Sequence, residues 1–128
     1  MQAQIDQAVQ VLQAAVALFA LGAIGGLVLA GIRFGYRRNP PNWLAMVHGL
    51  LVAGGYTLVG YAVIMHGAGT TAVAGLVMLT AAAVAGVMLS LRYKWHDRLL
   101  PTWLVLAHGI SAVLGFGLVA YAAYFAPR

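Results

Sequence analysis

Four long runs without a single Asp, Glu, Lys or Arg dominate the sequence, at residues 14–32, 43–65, 71–91 and 102–125. The first can be extended back towards Ala8. A helix needs about 20 apolar residues to cross a bilayer, whereas a barrel strand needs only about 9–11 with alternating character. These runs are continuous and too long for strands. In hydrocarbon their backbone polar groups must be satisfied within helices. The composition agrees, at 63% hydrophobic and 7% charged residues. Little chain is left outside the runs. The sequence therefore predicts one all-α membrane domain over 1–128, in contact with the lipid bilayer and without a soluble catalytic domain.

The connections set the topology. Asn39-Pro40-Pro41 and Leu100-Pro101 stop one helix and start the next, because proline lacks the N–H that a helix interior requires. Trp43 and Trp103 follow at once, where interfacial tryptophans are expected. Tyr61, Tyr121, Tyr124 and Phe125 make the opposite aromatic belt. The chain thus reads as two tandem helical hairpins, repeat 1 over about 8–66 and repeat 2 over about 71–126. Short links favour an up-down-up-down four-helix bundle. Over 41–66 against 101–126, 10 of 26 positions are identical at an offset of 60 residues. The two hairpins should be related by a pseudo-twofold along the membrane normal.

The net charge of +5 gains its meaning from position. Arg33, Arg37 and Arg38 flank the first link, and Arg92, Lys94 and Arg98 flank the third. Basic loops face the cytoplasm. Both termini and the 66–70 turn then lie outside, in the inner membrane of a bacterium. Orientation and anionic headgroups account for this charge, and nucleic-acid binding is not expected. The leader 1–10 carries no Lys or Arg, and the run after it is too long for the apolar part of a signal peptide, so cleavage is not expected. The chain has no cysteine, which excludes disulfides, thiolate metal ligands and covalent c-type haem attachment.

Two histidines occupy matched places in the repeat, His48 in WLAMVHG and His108 in WLVLAHG. Each stands five residues past its tryptophan, about 7–8 Å inward along a helix. In the expected bundle, helices two and four are diagonal. A metalloporphyrin between two axial imidazoles would span that diagonal, so His48 and His108 are the candidate iron ligands of one non-covalent haem b. The bland alternative is an imidazole donating to the carbonyl four residues back, Leu44 or Leu104. A buried polar group left unpaired costs about 2–7 kcal/mol.

Helical periodicity places Val52 and Gly55 on the face of His48, and Ala112 and Gly115 on the face of His108. Glycine at plus seven would leave a slot for a flat macrocycle edge, although small residues also serve plain helix packing in membranes. Gly26 and Ala30, with Gly86 and Ser90, are the comparable positions on helices one and three. Haem propionates would need cations near the basic links. Arg38 and Arg98 are the basic pair that the repeat preserves, and arginine forks suit carboxylates. His66 and His96 lack symmetric partners and are expected in the outer turn and a solvated loop.

The only acids, Asp6 and Asp97, lie outside the runs. No intramembrane carboxylate is present to carry a proton, which argues against a proton-coupled exporter. No nucleophile–base pair, phosphate loop or metalloprotease motif appears, so an electron-transfer protein is favoured over a stand-alone enzyme.

On His48, His108, the basic links and the four-helix unit, the chain resembles the b-type cytochrome anchors of respiratory dehydrogenases. The W-L-x-x-x-H-G pattern is similar to that of small bacterial membrane proteins. Two-haem transmembrane reductases of the ascorbate type pair four histidines at opposite faces, and this chain has one such pair. The resemblance implies a membrane b-type cytochrome, with a quinone or a larger redox complex as partner and oligomerisation open. The alternatives are a non-catalytic structural subunit, or a subunit holding one chlorophyll-type pigment on each histidine.

Overall fold

The computed structural model describes residues 1–126. Four helices run in order: α1 Gln2–Gly35, α2 Asn42–His66, α3 Thr70–Met88 and α4 Thr102–Tyr124. A π-helical turn, Leu89–Tyr93, and a 3-10 turn, Lys94–His96, continue α3. No strand occurs among the described residues. All four helical segments are long and apolar enough to cross a membrane. α1 reaches back to Gln2, well before the apolar run, and at 34 residues is about 50 Å long. Its first turns expose Gln4, Gln7 and Gln10 while burying Ala8 and Leu12.

α1 packs along α2, and α3 along α4, as two tight hairpins. The hairpins meet mainly through α1 and α4, with a thinner seam between α2 and α3. α2 and α4 therefore lie across the bundle from each other. The internal repeat is visible in the backbone as well. Each basic link turns on a non-glycine residue in the left-handed region, Arg37 at φ 51° and Asp97 at φ 54°, 60 positions apart. At the other end, Gly67 at φ 61° stops α2.

Asn39 ties the two basic links together. Its side-chain amide donates to the Arg98 carbonyl at 2.8 Å, and its side-chain oxygen accepts from the Leu100 amide at 3.0 Å. Lys94 donates to the Pro41 carbonyl at 3.1 Å.

The core is concentrated away from that end. Leu12, Ala15, Phe19, Val59, Ala62, Ala72, Leu79, Val119 and Ala123 form one buried cluster. Apolar surface has little reason to leave lipid tails, so close contact must hold such helices together. Gly55 and Gly115 provide it. A Cβ on Gly55 would stand 2.9–3.0 Å from three Phe19 ring atoms, and one on Gly115 would stand 2.7 Å from Leu79 Cγ. Phe19 and Leu79 are themselves 60 residues apart.

A second, small buried layer, Arg33, Pro40, Leu100 and Leu104, closes the basic end. Between the two layers the core is interrupted. No residue is buried along 23–32 of α1, 42–54 of α2, 83–88 of α3 or 105–114 of α4. The interruption covers about 15 Å of helix. His48 and His108 lie within it.

Candidate functional site

Each imidazole reaches across to the partner helix of its own hairpin. His48 Nδ1 lies 2.8 Å from the Gly22 carbonyl on α1, and His108 Nδ1 lies 2.8 Å from the Ala82 carbonyl on α3. A carbonyl can only accept, so Nδ1 carries a proton, and in the neutral imidazole Nε2 then holds a free lone pair. The expected bond to Leu44 or Leu104 within the same helix does not form. All four carbonyls belong to helix ladders, so ladder bonding does not decide between them; Gly22 and Ala82 are laid open to the ring by the glycine one turn further on.

That glycine is Gly26 in the first hairpin and Gly86 in the second. A Cβ on Gly26 would meet His48 Cε1 at 3.1 Å and Nδ1 at 3.5 Å. On Gly86 it would meet His108 Cε1 at 3.1 Å and Nδ1 at 3.3 Å. The missing side chain lets the ring settle against the helix and find the carbonyl four residues before. Gly25 adds a looser contact with His48, at 3.7 Å. The spacing Gly22–Gly26–His48 thus recurs as Ala82–Gly86–His108.

The two rings face one another across the bundle, with centroids 6.2 Å apart and planes crossed at 73°. No hydrogen bond joins them. Neither Nε2 has a partner among the described residues, and neither is sealed from access. Metal–imidazole bonds are about 2.0–2.1 Å long, so two rings on opposite sides of one metal stand roughly 6 Å apart, centre to centre. Among the described residues there is no group of three or more His, Cys, Asp or Glu that could hold a bare metal ion.

The other expected positions fall differently. Gly55 and Gly115 leave no slot, because Phe19 and Leu79 occupy the space beside them. Val52 turns onto Gly22, where its Cγ1 would stand 2.6 Å from an added Cβ, and so packs beside the carbonyl that holds His48. Ala112 and Ala30 are half-buried, and Ala30 lines an apolar groove of about 370 Å³ between α1 and α4 with Phe34, Val105, Gly109 and Val113. Ser90 lies in the π turn and is exposed where Ala30 is half-buried. Arg38 and Arg98 are also exposed, and Arg38 lies over the Tyr36 ring at 5.6 Å.

Sequence reading ranked Arg33 no higher than its basic neighbours. Among the described residues it is the one charged side chain that is buried, at 9% exposure, and its Nε donates to the Leu100 carbonyl at 2.7 Å. Its position on the Gly22–Gly26–Ala30 stripe was the available signal. His66 stacks edge-on against Tyr61 at 5.1 Å and borders a cleft at the far end, distant from the pair. His96 is exposed.

Compared with known protein families, curated proteins and solved structures, the chain matches none.

Proposed function

We propose that this protein is a small bacterial inner-membrane cytochrome of the b type, an electron-transfer protein holding one non-covalent haem between His48 and His108. The observation that carries this reading is the pair of unpartnered Nε2 atoms on imidazoles whose centres are 6.2 Å apart. The break in the buried core around them supports it, because a flat apolar group there would supply the contacts the helices do not make with each other.

On this reading the chain's own residues do three things. Gly22 and Ala82 accept the Nδ1 protons, which fixes both tautomers and aims both Nε2 lone pairs away from the holding helices. Gly26 and Gly86 admit the rings. The Phe19–Leu79–Val59–Val119 cluster closes the far side and keeps water from that direction. Haem with two protein ligands supplies one-electron transfer and leaves no position open for oxygen.

The basic links face the cytoplasm in this reading, with both termini outside. The site then lies nearer the cytoplasmic surface, and its redox partner is a quinone or a neighbouring subunit of a larger complex.

The test is a spectrum. Protein purified in mild detergent is expected to show one low-spin haem b per chain by pyridine haemochrome, lost in both His48→Ala and His108→Ala. Colourless protein, even after expression with haem supplied, would overturn the reading and leave a structural subunit. Pigment retained on one histidine after loss of the other would favour separate five-coordinate pigments.

A further inference from the structure

Arg33 is a packed cation with donors to spare. It is 9% exposed at the basic end of a bundle whose only acids are Asp6 and Asp97. A guanidinium has five N–H donors, and here only Nε is used, on the Leu100 carbonyl. The two terminal nitrogens make no hydrogen bond among the described residues, and the Phe34 ring, 5.6 Å from the guanidinium carbon, offers only a cation–π contact. The stem of the side chain is packed while these two nitrogens stay open to the surface, so they are free to take an anion.

Its placement says what the anion is. Arg33 follows Gly26 by seven residues, two helical turns, on the same face of α1. Gly26 lies against His48. Arg33 is therefore about 10 Å from the histidine layer along the axis. That is the reach from the centre of a haem to the carboxylates on its edge. Through Leu100, Arg33 also braces the start of α4, the helix that carries His108. The guanidinium closes the basic end of the same core interruption that holds the histidine pair.

Resting on the haem reading, we propose that the terminal nitrogens of Arg33 receive a haem propionate, and that the exposed Arg38 and Arg98 do not. The repeat places Tyr93 where Arg33 stands in the first hairpin, so this anchor is single. One cation in one half breaks the twofold symmetry of the cradle and points the carboxylate edge towards the links.

The experiment uses full-length protein from haem-starved cells, titrated in detergent with haemin and with haemin dimethyl ester. The ester keeps the iron and the macrocycle but removes both carboxylate charges. The unaltered protein is expected to bind haemin about tenfold or more tighter than the ester, the scale of a charge-assisted hydrogen bond. Arg33→Gln should lose most of that preference, Arg33→Lys part of it, and Arg38→Gln with Arg98→Gln none. Equal binding of haemin and ester by the unaltered protein would overturn the propionate assignment while leaving the cytochrome reading intact. A preference that survives Arg33→Gln but falls with the Arg38 and Arg98 changes would overturn it too. Failure of both pigments to give a low-spin spectrum would remove the haem reading and this assignment with it. The ester comparison needs no variant, so it decides the question even where Arg33→Gln does not assemble.

Discussion

A glycine and a histidine define the local unit of this molecule. Gly86 exists to be absent: a side chain there would press on His108 Cε1 at 3.1 Å, with nowhere for the ring to go but away from the Ala82 carbonyl. Gly86→Ala requires a shift of a few tenths of an ångström, whereas Gly86→Val places further atoms in the path of the ring. Gly86→Val is expected to displace the imidazole, leave its Nδ1–H unpaired at a cost of about 1–3 kcal/mol and, on the haem proposal, abolish the low-spin spectrum. Gly109→Val makes a fair control, because an added Cβ at Gly109 meets nothing within 4 Å. Melting temperature and haem content of both variants in detergent provide the check. Full haem content in Gly86→Val would mean that the carbonyl bond does not position the ligand. The histidines themselves were legible in the sequence, since two imidazoles at one offset in apolar runs need a shared reason. The identity of their acceptors was not. Helical periodicity fixes which residues share a face, but not which face of the neighbouring helix comes close enough to lend a carbonyl. Gly55 and Gly115 show the same limit: a glycine marks a close approach without saying whether a macrocycle or, as here, Phe19 and Leu79 will make it.

The elements repeat at 60 residues but not as copies. α1 runs unbroken to Gly35, while α3 passes at Leu89 into a π turn and then a 3-10 turn before reaching Asp97. Both links nevertheless turn on a left-handed non-glycine residue, so the winding differs while the turn position is shared. Apolar patterning carries no sign of this, because a π turn shifts register by a single residue within a run that is apolar all round. The clamp between links was equally hidden, since Asn39 has Leu99 as its repeat counterpart and nothing in the pattern asks for a partner 59 residues away. Asn39 satisfies the Leu100 amide, which lies just outside α4 and has no helical acceptor. Asn39→Ala is expected to cost about 1 kcal/mol, given partial solvent access, and to speed hydrogen exchange at the Leu100 amide selectively. Unchanged exchange at Leu100 would show that the clamp is incidental.

For the whole molecule, what matters is that the site is off-centre. The bundle is densest at the end bearing Leu12, Val59, Ala72 and Val119, and open at the histidine layer near the basic links. Four helices of spanning length, two hairpins and the diagonal relation of α2 and α4 were all legible, because length, proline placement and link length suffice to set them. Which membrane face the site approaches rests on the basic residues alone. The chain has no native cysteine, so single cysteines report cleanly on the two ends. Tyr36 and Trp95 are exposed in the basic links at 72% and 76%, and Thr70 is exposed at the start of α3 at the opposite end. In intact cells, a membrane-impermeant maleimide is expected to label Thr70→Cys, and to label Tyr36→Cys and Trp95→Cys only after permeabilisation. Six basic side chains around two links supply the bias, since lysines and arginines near span ends resist translocation. Labelling of the two link cysteines from outside would invert the molecule. Arg33 and the histidine pair would then approach the outer face, and on the cytochrome proposal the electron partner would be sought there.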